Sequence, residues 1–222
     1  MLETISSQLT PITTDLFSEK TRDRILVSSL VLFNQLGFSR VTTASIAKQT
    51  GILEGSLWYH FNTKKDILDA HIQLLSKVFL TENKQASSTD TKTIILGIFR
   101  SYDLIWDFRY ILRDDFQKSL NKDELVLETA KKINNFLDQW AEGRIQHSYI
   151  NGLLQLNPQQ IENLSEITLL IGRYWLDFSS KKYPNVSDES LRKKGLSHIF
   201  TVLESYLSPE AKQIISQMMD KR

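Results

Sequence analysis

Thr42-Thr43-Ala44-Ser45-Ile46-Ala47-Lys48-Gln49-Thr50-Gly51-Ile52-Leu53-Glu54-Gly55-Ser56-Leu57-Trp58-Tyr59-His60-Phe61 is the stretch on which the fold turns. Thr42 carries a side-chain oxygen suited to cap a short helix over 43–49, and the Thr50-Gly51-Ile52 step breaks that helix, since glycine supplies the permissive backbone a tight turn needs. A second short helix is expected at once, over 54–60. Small Ala47 lets the two helices approach closely. Ile46, Ile52, Leu57 and Phe61 are spaced to point inward together, against Leu32 and Phe33 of the preceding segment. Gly55, Ser56, Trp58, Tyr59 and His60 are then left facing outward, with Thr42, Thr43 and Lys48 beside them.

Moving outward, the segment 19–36 sets Ile25, Leu26, Ser29, Leu32, Phe33 and Leu36 at three-and-four spacing, and Gly37 stands where a C-cap would end a helix. Downstream, Thr63 can cap a longer helix whose apolar face includes Ile67, Leu68, His71, Leu74, Leu75, Val78 and Phe79. Residues 84–92 are polar and read as a linker. Further helices are expected near 93–110, 113–120, 123–151, 158–182, 187–207 and 209–219, with Asn157 and Ser208 as caps before Pro158 and Pro209. The pattern predicts an all-α protein. A flexible N-terminal arm over 1–18 precedes a three-helix helix-turn-helix domain over 19–66. A larger helical domain over 67–222 follows.

Composition narrows the chemistry. The chain has no cysteine, which excludes disulfides, thiolate metal sites and cysteine nucleophiles. Its four histidines fall at 60, 71, 147 and 198, with no pair at helical ligand spacing, so no metal is expected. No phosphate-binding glycine loop, nucleophile elbow or dinucleotide fingerprint occurs, so neither catalysis nor a cofactor is expected. Apolar runs fall far short of the ~20 residues a membrane span requires, and the N-terminus does not read as a secretion signal. A cytoplasmic location with no membrane partner is the expectation. Net charge is only +1, but 20–65 holds seven bases against two acids, a local +5 that leaves −4 for the remainder. Such asymmetry suits a domain that meets phosphate while the rest stays clear of it, and it also suits a solvated charged face.

A short helix can enter a major groove ~12 Å wide, where the hydroxyls, imidazole and ring edges on the outward face of 54–60 reach phosphates and bases. Lys64, at the start of the next helix, adds a charge beside free backbone amides. Residues 25–68 resemble the N-terminal DNA-binding domain of the TetR family of one-component bacterial regulators. The likeness rests on Leu32-Phe33, Gly37-Phe38, the 42–47 segment, Gly51-Ile52, Gly55-Ser56-Leu57-Trp58-Tyr59-His60-Phe61, Thr63-Lys64 and Leu68. It implies phosphate contacts at Thr42, Ser56, Tyr59 and Lys64 and base contacts around Thr43, Ala44, Glu54, Gly55, Trp58 and His60. His60 is open between base reading and a packed or phosphate-facing imidazole, and Trp58 between an indole contact to phosphate and simple packing. Three positions depart from the family pattern. Leu53 stands where a capping serine is common. Glu54 occupies a site often basic or proline, where a carboxylate would repel phosphate or accept from a cytosine amino group. Ala44 replaces a longer polar residue.

In the C-terminal half, aromatic residues accumulate from Phe99 to Tyr183. Many must form core, while polar-tipped Tyr102, Trp106, Tyr110, Trp140 and Tyr174 are candidates to border a mostly apolar ligand pocket. The stretches Tyr102 to Asp115 and Gly152 to Trp175 resemble the C-terminal domain of a TetR subgroup described as bacterial transcriptional repressors. The family likeness implies a homodimer on palindromic double-stranded operator DNA, released by a small-molecule effector. The dimer seam is expected on the two long late helices, at Leu169, Gly172, Leu176, Ile199, Val202, Leu203 and Tyr206. The alternative reading is a helical protein-interaction adaptor that does not bind DNA.

Overall fold

The structure, a computed structural model of the chain, describes residues 7–85, 89–113, 116 and 124–221. Ten α-helices occur among them: α1 (Pro11–Thr14), α2 (Thr21–Leu36), α3 (Thr43–Thr50), α4 (Glu54–His60), α5 (Lys64–Gln85), α6 (Thr91–Asp107), α7 (Glu124–Ile150), α8 (Pro158–Lys182), α9 (Asp188–Leu203) and α10 (Pro209–Asp220). Short 3-10 turns stand at Phe38–Arg40, Arg109–Ile111 and Glu204–Tyr206. The described residues hold no strand, only an isolated bridge between Leu154 and Leu207, so the protein is all-α as its periodicity predicts. No helix among them is long and apolar enough to cross a membrane. The expected helix over 113–120 lies outside the described residues except at Arg113 and Phe116, as do 86–88 of the expected linker.

The chain divides into two compact units, residues 1–80 with 103–131 and residues 81–102 with 132–222. The boundary expected at 66/67 is therefore displaced, because Ile67, Leu68, Ile72, Leu75 and Phe79 of α5 are all buried and complete the first unit's core. The arm expected to be flexible over 1–18 is also not free from Ser7 onward. Leu9, Thr10 and Thr13 are buried, and the carboxylate of Asp107 accepts hydrogen bonds from the Thr10 amide at 2.8 Å and the Thr10 hydroxyl at 2.5 Å. A charged acceptor makes such bonds strong, which offsets the ordering cost of a terminal segment.

Within the first unit, α2 is buried from Ile25 through Asn34, and Gly37 ends it at φ +82°. The Asn34 amide joins this helix to the turn after α6. Its Nδ2 donates to the Asp107 carbonyl at 2.6 Å, and its Oδ1 accepts from the Tyr110 amide at 3.1 Å. Arg113 donates to the Asn34 carbonyl. Tyr110 is fully buried among Phe33, Phe38, His71 and Phe116. His71 lies between two fixed partners, the Leu26 carbonyl 3.0 Å from Nε2 and the Tyr110 hydroxyl 2.9 Å from Nδ1. A carbonyl oxygen only accepts, so Nε2 carries the proton, and Nδ1 of the neutral ring accepts from the tyrosine.

In the second unit, Asn157 and Gln160 form a reciprocal cap at the start of α8, where Pro158 takes the first turn. Ser187 and Ser208 cap α9 and α10 one way, their hydroxyls accepting from the Ser190 and Ala211 amides. The α6 start moves to Thr91, capped by an aspartate the periodicity did not single out: Asp90 accepts from the Thr93 amide and hydroxyl at 2.8 and 2.7 Å. Ile145, Leu154, Leu164 and Leu203 form one buried cluster, with Ile161, Ile199, Val202 and Tyr206 packed around it. At Gly195 of α9 a Cβ would collide with both the Tyr102 hydroxyl and the Trp175 ring, so only glycine admits these two aromatics.

Burial pushes the His71 pKa down from 6.5 to about 4, the bond to Leu26 opposing weakly. The unfolded state therefore takes up a proton as pH falls through 6.5 while the native state does not, and stability drops by about 3 kcal/mol as pH approaches 4. Asp107 acts in the opposite sense: burial raises its pKa, so protonation at falling pH favours the fold. Comparing denaturant unfolding of the wild type with His71→Gln across this window cancels the Asp107 contribution. The wild type is expected to lose more stability than the variant, and equal losses would contradict a neutral, buried His71.

Candidate nucleic-acid interface

The α3–α4 unit is built from its turn outward. Thr42 caps α3 through a closed box, its hydroxyl accepting from the Ser45 amide and its own amide donating to the Ser45 hydroxyl, both at 3.1 Å. Gly51 ends α3 in the left-handed region at φ +75°, ψ 37°. From there the Gly51 amide donates to the Lys48 carbonyl and the Ile52 amide to the Ala47 carbonyl, at 3.2 and 3.0 Å. Any residue with a Cβ is disfavoured at that backbone conformation, which is why the turn needs glycine. Ile46, Ala47, Leu57 and Phe61 are all buried, as their spacing predicts, while Ile52 is only half-buried. Arg24 of α2 donates to the Thr50 carbonyl at 2.8 Å and holds the end of α3, a tie the sequence did not reveal.

With Leu57 wholly buried, the opposite side of α4 faces solvent: Tyr59 is 88% exposed, Trp58 54% and Leu53 80%. Gly55 and Ser56 are exposed on α4, as are Thr42, Ala44 and Lys48 around α3. His60 is half-buried, its ring edge-on to Tyr59 with centroids 5.2 Å apart. Leu53 gives α4 no side-chain cap, in line with the departure noted at that position. Thr43 and Glu54 are brought together, the Thr43 hydroxyl donating to the Glu54 carboxylate at 2.6 Å across the two helices.

Lys64 differs from its expected surroundings. Its ammonium donates to the carbonyls of Phe38 and Val41 at 2.7 and 2.9 Å and lies 4.4 Å from the centre of the Phe38 ring. Burial lowers its pKa, and two of its three donors are spent inside the protein. It braces the loop between α2 and α3, a role no spacing in the sequence signals. Arg22, which the sequence does not single out, stacks over the Phe61 ring at 4.7 Å and is exposed.

The five aromatics expected around a ligand pocket are not gathered in one unit. Tyr102, Trp140 and Tyr174 belong to the second, Trp106 and Tyr110 to the first. Tyr110 is core, as described above. Trp106 is buried beneath the Arg109 guanidinium, 4.9 Å from the ring centre. Tyr174 is 70% exposed. Tyr102 is buried, and Trp140 is half-buried with Arg144 over its ring at 5.4 Å.

The residues expected on the dimer seam differ in burial. Leu176 and Leu203 are buried within the protomer, and Ile199, Val202 and Tyr206 pack on the cluster around Leu203. Leu169 and Gly172 are half-buried. The exposed apolar stripe of α8 runs through Ile167, Leu170, Tyr174 and Phe178, each three or four residues from the next. Two residues along a helix turn the side chain by about 200°, so Leu169, Gly172 and Leu176 face away from this stripe.

Residues 25–71 match the sequence pattern of "Bacterial regulatory proteins, tetR family", and residues 73–215 that of the TetR "Bacterial transcriptional repressor" domain. The chain is 26% identical over 194 residues to the biofilm operon icaADBC HTH-type negative transcriptional regulator IcaR of Staphylococcus aureus, covering 84% of this chain and 98% of that protein. Its fold is similar to that of a TetR-family transcriptional regulator from Marinobacter aquaeolei VT8, with a TM-score of 0.63, 24% identity, and coverage of 91% of this chain and 98% of that one. It is also similar to SmeT, solved in complex with triclosan, with a TM-score of 0.57, 18% identity, and coverage of 86% and 93%. Two family patterns that together span most of the sequence, on an α3–α4 unit with an exposed outer face, lead to one conclusion: the chain belongs to the TetR family of DNA-binding bacterial transcriptional regulators.

Proposed function

We propose that the protein is a homodimeric repressor that sets α4 of each protomer in a major groove of a palindromic operator and lets go when a small molecule binds its second unit. The observation that carries this is the division of α4, with Leu57 wholly inside and Trp58, Tyr59 and Ser56 outside. A surface helix that exposes two large aromatics beside hydroxyls and an exposed lysine needs a partner, and a duplex offers both phosphates and base edges. The matched repressor pattern and the printed role of IcaR as a negative regulator support repression, and family membership speaks against the adaptor alternative.

Thr42, Ser56, Tyr59 and Lys48 take the phosphates in this reading, and Thr43, Ala44, Glu54, Gly55, Trp58 and His60 meet base edges. Lys64 acts by holding the 38–41 turn and so the approach of α3. The dimer seam in this reading is the exposed α8 stripe of Ile167, Leu170, Tyr174 and Phe178, in place of the buried Leu176 and Leu203 and the half-buried Leu169, Gly172, Ile199, Val202 and Tyr206. Two half-sites want recognition helices about one helical turn, ~34 Å, apart, and only a fixed dimer holds that spacing. Tyr102 and Trp140 remain candidates to line the effector site, while Trp106, Tyr110 and Tyr174 are accounted for elsewhere. That SmeT was solved with triclosan supports a small-molecule effector here. The effector works by linkage: it binds the DNA-releasing conformation better than the DNA-holding one.

Tyr59→Phe and Lys48→Ala are both surface changes. Each is expected to weaken binding to all duplexes by a few-fold, and Lys48→Ala is expected to reduce the salt slope by about one ion. Fluorescence-anisotropy titrations at several salt concentrations check this. Unchanged affinity and slope in both variants would remove these residues from the interface.

Leu170→Glu with Tyr174→Glu places like charges on the α8 stripe, at positions 68% and 70% exposed. Helical content and melting are expected to hold, while sedimentation shows a monomer and operator affinity falls at least 100-fold, a loss set by the removal of the second half-site. A dimer that survives both substitutions would place the seam elsewhere.

A further inference from the structure

The hydrogen-bond inventory at Thr43 and Glu54 bears on which base pair the protein reads, an inference that rests on the DNA-binding reading above. Thr43 has one hydroxyl hydrogen, and it is donated to the Glu54 carboxylate at 2.6 Å. A carboxylate only accepts. The Glu54 side chain has no other hydrogen bond or ion pair among the described residues. The two side chains, one at the start of α3 and the other at the start of α4, therefore have lone pairs to offer an outside partner and no free donor.

We infer that Thr43 and Glu54 form an acceptor-only pair that specifies a cytosine in each operator half-site, with Thr43 positioning the carboxylate. Guanine shows the major groove two acceptors, N7 and O6, and thymine shows O4, so both are repelled. Adenine offers its N6 amino group, but with the N7 lone pair beside it. Cytosine offers its N4 amino group beside a C5–H, with no lone pair of its own on that edge. Leu53, next in sequence and strongly exposed, favours the same choice, because an apolar side chain tolerates the C5 edge of a pyrimidine better than a purine N7. Glu54 thus repels phosphate and guanine and accepts one base, and its cost to overall affinity is returned as discrimination.

The test is selection of bound sequences from a randomised duplex library by the full chain, as wild type, Glu54→Gln and Glu54→Ala, with melting temperatures recorded. The amide introduced by Glu54→Gln keeps an oxygen for Thr43 and adds a donor, so this variant is expected to replace the cytosine column by adenine, which an amide pairs through N6 and N7. Glu54→Ala is expected to lose the preference at that column alone. Within the selected duplex, pyrimidin-2-one in place of the cytosine removes only the amino group. It is expected to weaken the wild type on the order of 10-fold and to leave Glu54→Ala unchanged. Three proteins that select the same motif with the same preference at every column would overturn the inference. So would an equal loss of affinity for all sequences accompanied by lower melting, which marks a purely structural tie between the helices. If the wild type retains no duplex and yields no motif, the DNA-binding reading itself fails and this inference falls with it.

Discussion

The turn at Gly51 sets everything that follows it. Two amides, those of Gly51 and Ile52, close onto the carbonyls of Lys48 and Ala47, and the left-handed backbone that allows this fixes the direction in which α4 leaves α3. Once that direction is fixed, the buried positions of α4 are decided by its period: Leu57 goes in, Phe61 follows one turn later, and Trp58 and Tyr59 go out. The surrounding contacts hold this geometry without making it. Arg24 grips the carbonyl of Thr50 at the end of α3, and Lys64 grips those of Phe38 and Val41 before its start. Both cations serve backbone carbonyls left over at chain turns, where an unpaired buried acceptor would be costly.

The first unit extends well beyond a three-helix reading head. Asn34, in the last turn of its buried helix, spends its amide on the Asp107 carbonyl and the Tyr110 amide, and His71 reaches Tyr110 from α5. The segment after α6 is thereby part of the same body as the reading helices. Residues of α6 are shared between the two units, Thr91 to Tyr102 with the second and Asp103 to Asp107 with the first. Under the proposed function, an effector-driven change in α6 reaches α2 through the helix itself and the hydrogen bond from Asn34 to the Asp107 carbonyl. Coupling of that kind needs only a different affinity of the effector for two arrangements of the helix.

Much of this was legible in the sequence, and the reasons are local. The cap at Thr42, the break at Gly51, the inward set Ile46, Leu57 and Phe61, and the Asn157-Pro158 and Ser208-Pro209 starts each depend on residues within one or two turns of one another. The contacts that the sequence does not signal share the opposite property. Lys64 looked like a surface cation because its partners, Phe38 and Val41, are distant in sequence. Thr10 looked like part of a loose arm because its acceptor is Asp107. Tyr110 looked like a pocket wall because a polar-tipped aromatic reads the same whether its hydroxyl meets a ligand or a histidine. On α8 two apolar stripes share one period, and the sequence alone does not say which is inside. The buried one carries Leu176 and the exposed one carries Leu170 and Tyr174, two residues out of step.

The central claim is that α4, held by Leu57 and Phe61, lies in the major groove of a duplex, once per protomer. Dimethyl sulfate footprinting on a selected operator addresses this directly, since the reagent marks guanine N7 in the major groove and adenine N3 in the minor. Protection of N7 positions in two clusters centred about one helical turn apart, with N3 reactivity unchanged, is the predicted result. Full N7 reactivity in the bound complex, or protection confined to the minor groove, would contradict the account.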